Sequence, residues 1–338
     1  MEARILLTGG TGFFGRALLR HFLSSRKATV ARVYVLSRDP QRFQSSYPSL
    51  ATNEQIRFVQ GNIEDRQSLP WNADFTHVLH AATDSTVGPQ LKPLERFNQI
   101  IDGTRNVLDL AVATNAKRFL LTSSGGIYGQ QPADLEAIPE DWPGCPPLEM
   151  ATSAYSQAKR AAEHLCGLYQ DAHGLHTIVA RCFAFVGPDL PLDVHFAIGN
   201  FIQDALYADA INVAGDGTPL RTYLDQRDLA KWLWTLLLQG MDGQAYNVGS
   251  DRVISIAELA HLVRDLIAPE KAVRILGSAD PTAERNRYVP SIKKIQKLHD
   301  LQVEVSLEEA IASTAKAHQQ DTTDHGLDNF LRNTHGHQ

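Results

Sequence analysis

No stretch of the 338-residue chain approaches the roughly 18–20 consecutive apolar residues that a helix needs to cross a bilayer, and no basic-then-apolar leader is visible. A membrane protein and a secreted one are therefore not expected. Cysteine is scarce: Cys145, Cys166 and Cys182 form no close pair and leave one over, which suits a reducing cytoplasm better than a disulfide framework. Charge of one sign is also missing. The 32 Lys and Arg and 38 Asp and Glu are scattered and sum to −6, which argues against a nucleic-acid partner and for a soluble protein. There is no internal repeat. His325, His335 and His337 lie in a polar stretch from Gln319 onward that reads as a frayed tail, so no metal site is expected. What the chain does hold is 43% apolar residues, enough for a large core divided between two lobes.

Short apolar runs alternate with helical periodicity. Arg4–Thr8, Ala31–Leu36, Ile56–Gln60, Thr76–His80, Lys117–Thr122 and His176–Arg181 read as strands, with helices near 95–114 and 153–172. This rhythm predicts an α/β, doubly wound parallel sheet. After Pro188 the spacing changes to a helix near 195–209, short strands at 211–214 and 221–224, a Trp-rich helix and a strand at 245–249. A smaller mixed α/β C-terminal lobe is expected, with residues 1–188 forming the cofactor domain, 189–318 the substrate lobe and 319–338 the tail, and with the chain free to cross between lobes.

The first strand runs into Gly9-Gly-Thr-Gly12-Phe13-Phe14-Gly15, after which apolar residues recur at helical spacing. Glycines at 9, 12 and 15 allow a sharp turn and a close approach to a pyrophosphate, which the following helix N-terminus attracts. The spacing is one residue longer than the usual G-x-G-x-x-G dinucleotide fingerprint. The second strand ends in Ser37-Arg38-Asp39. An acidic residue there would take the ribose 2′-hydroxyl of NAD, whereas Arg suits a 2′-phosphate. Arg38 thus points to NADP, with Asp39 and NAD as the alternative. Tyr155 and Lys159 stand four apart, on one face if the segment is helical. A nearby ammonium is expected to pull the phenol down towards working pH, making it an acid/base for an alcohol oxygen. Ser124, at the carboxyl end of the fifth strand, can reach the same oxygen.

These features in this order resemble an extended short-chain dehydrogenase/reductase of the nucleotide-sugar epimerase/dehydratase family: Gly9-x-x-Gly12-x-x-Gly15, His80-Ala81-Ala82, Gly103-Thr104, Ser124 before Tyr128-Gly129, Tyr155-x-x-x-Lys159, Arg181 before Gly187-Pro188, Gly215-Asp-Gly217 before Arg221, and Asp228-Leu-Ala230. The likeness covers about residues 3–300 and implies a Rossmann-type domain. It implies Tyr155 as general acid/base, Lys159 as its modulator and ribose anchor, and Ser124 as the group that polarises the reacting oxygen. Cofactor contacts are implied for Gly9, Gly12, Phe13, Phe14, Gly15, Ser37, Arg38, Asn62, Ile63, Ala81, Ala82, Tyr155 and Lys159, Asn62 replacing the family's adenine-binding Asp. The implied substrate is a nucleotide-diphosphate sugar held by Ser124, Asn200, Arg221 and Arg287, with a homodimer as the assembly. Several positions depart from the family pattern. The acidic pair of 4,6-dehydratases is replaced by Gly125 and Gly126, a substrate-binding Asn by Ala184, for which His195 or Asn200 could substitute, and an Asn before Gly-Thr by Ile100. An epimerase or a one-way 4-ketoreductase is the first reading. The alternatives are a dehydratase with a different acid, a reductase of small ketones and a non-catalytic NADP-binding sensor.

Overall fold

The computed structural model describes residues 2–25, 30–83, 90–192, 194, 196–280 and 285–334, the side chains of 321–334 excepted. His195, His335 and His337 and the side chain of His325 lie outside that description.

Six parallel strands come from the part of the chain up to Cys182: β1 (Ala3–Thr8), β2 (Val30–Ser37), β3 (Ile56–Gln60), β4 (His77–His80), β5 (Arg118–Ser124) and β6 (His176–Cys182). Between them lie α1 (Phe13–Ser25), the short α2 (Pro40–Ser46) and α3 (Pro48–Ala51), α4 (Pro93–Ala113) and α5 (Ala154–His173). Beyond them follow β7 (Phe185–Val186), α6 (Ala197–Tyr207), β8 (Ala210–Val213), β9 (Leu220–Arg221), β10 (Leu224–Asp225) and α7 (Gln226–Gln239). The chain ends with β11 (Gln244–Val248), β12 (Ile254–Ser255), α8 (Ile256–Ile267), β13 (Ala272–Ile275), β14 (Arg287–Tyr288), α9 (Lys293–His299) and α10 (Leu307–Thr334).

The central sheet has the order β11-β6-β5-β4-β1-β2-β3, all parallel. Its strands are near-continuous apolar runs because helices cover both faces. Ile5 and Leu7 face one core with Leu120 and Ile178, while Leu6, Val78, Phe119 and Leu121 face the other. This is the doubly wound sheet expected from the rhythm of strands, with one difference. The seventh strand comes from beyond residue 188. α7 packs on α1, where Trp234 Nε1 donates to Leu18 O (3.0 Å), and delivers β11 to the edge of β6. Trp232, Trp234 and Tyr246 bury large apolar areas against the first lobe, which accounts for the return.

The remaining elements form the smaller lobe. α6, α8 and the first turns of α10 enclose a second core of Ile198, Phe201, Leu259, Val263, Leu307 and Ile311, edged by small ribbons. α10 continues as helix through Thr334, where a frayed tail from residue 319 was expected.

The sheet order reverses between β1 and β4, and the crevice at such a switch point is where ligands bind in open α/β sheets. Two features hold it in shape. Gly9 has φ of +72°, and a Cβ there would lie 2.5 Å from Ala81 O, so the β1–α1 turn closes directly on the end of β4. His80 Nδ1 meets Thr8 Oγ1 at 2.7 Å and its Nε2 meets Thr104 Oγ1 at 3.3 Å, tying β1, β4 and α4 together. Burial, reinforced by the charge of Lys159, lowers this imidazole's pKa to about 3, so it is neutral in the folded protein. A third tie joins the lobes: Asp189 accepts from Arg16 Nε (2.9 Å), Arg20 Nη2 (3.2 Å) and Gln226 Nε2 (2.8 Å).

Candidate active site

α5 begins immediately after a 3₁₀ turn at Ala151–Ser153, which places Tyr155 in its first turn and Lys159 one turn later on the same face. The face looks onto the carboxyl ends of β4, β5 and β6. Lys159 is buried; its Nζ donates to Thr122 O (2.8 Å) and to Thr83 Oγ1 (2.7 Å), pinning α5 to β5 and to the segment after β4. Burial lowers its pKa to about 8, since an ammonium is costly away from water.

Ser124 ends β5 and caps the 3₁₀ turn Gly125–Tyr128, its Oγ accepting from Gly126 N (3.1 Å). The phenols of Tyr155 and Tyr288 both lie beside Ser124, whose hydroxyl opposes the upward push of burial on each. Three hydroxyls therefore meet at one point, which fits an oxygen-bearing substrate carbon. The Tyr155 pKa is raised, not lowered as the Tyr-Lys spacing had suggested. Burial is the largest cause, and it outweighs the opposing pull of the neighbouring Ser124 hydroxyl and the Arg96 charge. Lys159 Nζ lies 6.0 Å from the Tyr155 ring centre with two donors already committed, so its influence on the phenol is weaker than the spacing alone implies.

Behind this cluster a second network makes the platform rigid. Arg181 on β6 pairs with Glu163 on α5 (2.9 Å) and donates to Tyr128 Oη (2.7 Å). Tyr128 donates to Asn247 on β11 (2.8 Å), and burial pushes its pKa up to about 12. The sequence motif residues Arg181 and Tyr128 thus support the site from behind.

The residues expected to hold a nicotinamide dinucleotide line the crevice. Gly12 has no neighbour nearer than Gly9 O, at 3.5 Å from a built Cβ, so the turn is open on that side, as a close-approaching pyrophosphate requires. Gly15 packs on the Gly10 backbone. Phe13 and Phe14 turn their rings into the cores, Phe14 edge-on to Phe185 at 5.1 Å, which leaves the backbone of the first helical turn for a ligand. Ala81 follows β4, and Ala82 N donates to Thr8 Oγ1 (3.2 Å). Asn62 follows β3 and its Oδ1 accepts from Glu64 N (3.2 Å); Ile63 packs against Gly103. At the end of β2, Ser37 Oγ accepts from Asp39 N (3.2 Å), Arg38 is exposed, and the Asp39 carboxylate caps α2 by accepting from Arg42 N (3.0 Å). These residues fit a dinucleotide.

The substrate side divides the candidates. Arg221 is partly buried on β9, its Nη1 donating only to its own strand at Leu220 O (2.8 Å). Asp225, four residues further on, binds Arg227 (2.9 Å), and among the described residues Arg221 has no carboxylate partner. Arg287 does not join Arg221. In the β9–β14 ribbon Arg287 pairs with Leu220 and Tyr288 with Arg221, and side chains of paired positions share a face. Tyr288 is the residue that reaches the site. Asn200, with its amide turned to suit its neighbours, donates to Leu192 O (3.1 Å) and Val194 O (2.6 Å), tying α6 to the loop before it.

Tyr288, Phe183 and Arg96 carry no sequence signal, because they converge from β14, the β6–β7 link and α4. A Cβ at Gly125 would lie 2.7 Å from both Tyr288 Oη and Phe183 Cζ, and the two rings are 4.6 Å apart. The aromatic pair fills the space in which the acidic residue of a 4,6-dehydratase would stand.

With the geometry in view, comparison with known proteins gives a consistent assignment. The model of the NAD dependent epimerase/dehydratase family matches residues 5–249, and the chain belongs to that family of enzymes. UDP-glucuronic acid decarboxylase 6 of Arabidopsis thaliana is 27% identical over 312 residues, covering 91% of this chain and 86% of that protein. UDP-glucose 4-epimerase of Thermotoga maritima with UDP-glucose superposes with a TM-score of 0.80 at 20% identity, covering 94% of this chain and 99% of the other. A variant of UDP-glucuronic acid 4-epimerase of Bacillus cereus, in complex with UDP-4-deoxy-4-fluoro-glucuronic acid and NAD, gives 0.79 at 21% identity over 94% and 99%. At these identities the two structures establish the shared fold.

The packing around Gly125 makes a direct prediction. Gly125→Ala should lower stability by about 1–3 kcal/mol through overpacking, and Tyr288→Phe in the same chain should recover part of that loss, as read by denaturant unfolding. An unchanged unfolding midpoint for Gly125→Ala would show that the aromatic pair does not occupy this space.

Proposed function

We propose that the protein is a nucleotide-sugar epimerase or 4-ketoreductase that uses NADP(H), with Tyr155 as the acid/base for a hydride transfer at a sugar carbon. The observation that carries this reading is the meeting of the Ser124 and Tyr155 hydroxyls at the carboxyl end of β5, above the buried Lys159. A bound nicotinamide nucleotide supplies or accepts the hydride. The protein's task is the proton: Tyr155 donates it to a 4-keto oxygen as the carbon is reduced, or removes it from the 4-hydroxyl as the carbon is oxidised, while Ser124 holds that oxygen. The raised pKa of Tyr155 keeps the phenol protonated at neutral pH, which equips it to donate.

Support for a diphosphate-linked sugar comes from Arg221, a partly buried guanidinium without a carboxylate partner among the described residues. Its planar fork matches phosphate geometry. NADP(H) is preferred because the end of β2 carries Ser37 where an acidic residue would take the ribose, Arg38 follows it, and Asp39 is engaged as the N-cap of α2. The preference departs from the NAD bound in the Bacillus cereus relative. A cytoplasmic homodimer completes the reading; light scattering tests the assembly.

A second reading is favoured by the Arabidopsis thaliana relative, whose name gives its reaction as decarboxylation. Oxidation of C4 in a hexuronic acid creates a β-keto acid. The bond to the carboxylate then breaks, CO2 leaves with its electrons passing to the C4 oxygen, and a proton returns to C5. No acid is needed to expel a hydroxyl, so Gly125 and Gly126 do not block this chemistry as they block standard 4,6-dehydration. Release of CO2 from UDP-glucuronic acid would select it over the first reading.

Two measurements test the proposal. Tyr155→Phe is expected to lower turnover by about 10²–10⁴-fold with cofactor affinity near wild type; retention of more than about half the turnover when chemistry limits the rate removes Tyr155 from the role. Arg38→Ala should weaken NADP(H) by about 1.5–3 kcal/mol while NAD(H) is little changed. An equal loss for both cofactors would assign Arg38 to the surface and the preference to NAD.

A further inference from the structure

Arg96, in the first turn of α4, lies over the Tyr155 ring with its guanidinium carbon 4.2 Å from the ring centre. Its Nε is closed off from solvent, and among the described residues it has no hydrogen-bond partner and no carboxylate pairs with the guanidinium. An arginine in a partly buried place normally finds an acceptor, so an unpartnered one against a functional phenol calls for a reason. Lys159 is in the opposite situation. It stands further from the ring and is occupied by Thr122 and Thr83.

The groups that face Tyr155 from each packed element can be stated. α4 contributes Arg96 and α5 contributes Lys159, with Glu163 one turn beyond it and paired to Arg181. β5 contributes Ser124. β6 contributes Cys182, whose thiol burial pushes up to about 12, so it is uncharged. β14 contributes the phenol of Tyr288, which burial also pushes up, with Arg221 beside it. No carboxylate among the described groups acts on the Tyr155 phenol directly. The cation in closest contact with its ring is Arg96.

We propose that Arg96 is a positioning residue for catalysis: its guanidinium, stacked on the Tyr155 ring, orients the phenol and stabilises the tyrosinate that forms when the proton moves. A cation over a ring face is attracted by the neutral phenol, and the attraction grows when the ring becomes anionic. The stack therefore holds the side chain in both protonation states and offsets the burial that disfavours ionisation. Arg96 does this through Tyr155 and without touching the reacting carbon. The tyrosine and its lysine thus operate as part of a three-residue set drawn from two adjacent helices.

This inference rests on the reading of Tyr155 as the acid/base, and the test separates the two. Tyrosinate formation is titrated by ultraviolet difference absorbance in the full chain and in Arg96→Gln, Arg96→Met and Arg96→Lys, each compared with the same chain carrying Tyr155→Phe so that the Tyr155 signal is isolated. This needs no substrate. Removal of the charge should raise the Tyr155 pKa by about 1–2 units, with Arg96→Lys restoring part of the shift. The limb of the pH profile of kcat/KM that reports the phenol should move by the same amount. Gln and Met differ in polarity, so a folding defect in one leaves the other to report. An unmoved titration overturns the proposal. So does a tenfold or larger rise in KM for the nucleotide sugar with an unmoved titration, which would make Arg96 a binding group for a substrate anion. A shifted titration in a protein that turns over no nucleotide sugar would uphold the role of Arg96 and reject the proposed reaction.

Discussion

The site depends on the burial of one ammonium. Lys159 sits at the carboxyl end of the parallel sheet, where Thr122 O and Thr83 Oγ1 receive it, and among the described residues no carboxylate cancels its charge by direct contact. Taking an ammonium out of water is costly, so this arrangement persists only if the surrounding structure fixes its partners. It does so through elements laid down early in the chain. β5 supplies the carbonyl, the segment after β4 supplies the hydroxyl, and the neutral His80 next to them binds β1 to α4. Burial, reinforced by the same charge, keeps the neighbouring His80 unprotonated. A lysine in this place thus fixes the position of α5, and with it Tyr155, relative to the cofactor crevice.

Around that anchor the reaction centre is built from hydroxyls and guanidinium groups rather than carboxylates. Ser124, Tyr155 and Tyr288 gather at one point, Arg96 lies on one ring and Arg221 beside another. Such a set can pass a proton to or from an oxygen and can hold negative charge on a substrate. Among the described residues, no carboxyl group is among those that act on the Tyr155 and Tyr288 phenols. The packing explains the omission: Gly125 carries no side chain because Phe183 and Tyr288 occupy the volume one would need. The departures from the family pattern at 125 and 126 are therefore matched by packing in three dimensions.

Much of this was legible in the sequence, and the reasons for success and failure are physical. Periodicity exposed the strands that form six-sevenths of the sheet, since buried parallel strands are unbroken apolar runs. The glycine turn and the four-residue separation of Tyr155 and Lys159 were local signals and were read as such. The seventh strand was assigned to the second lobe because β11 is short and its partner β6 lies more than sixty residues away. The raised pKa of Tyr155 could not be read from a spacing, since it reflects burial by the whole fold. Arg96, Phe183 and Tyr288 were invisible for the same reason: their placement depends on contacts among three separate elements. The pairing of Asp225 with Arg227 rather than Arg221 follows from the start of α7, where Asp225 is the N-cap.

The central claim is that this centre moves a hydride at a sugar carbon while Tyr155 moves the proton. It is tested most directly with a nucleotide sugar bearing deuterium at C4, mixed with the purified protein and oxidised NADP, and examined by mass spectrometry of both molecules. The account predicts deuterium on the nicotinamide ring, formed in the wild type and lost in Tyr155→Phe. Sugar that is converted to product while no reduced, deuterium-bearing nicotinamide forms at any time in rapidly quenched single turnovers would contradict it.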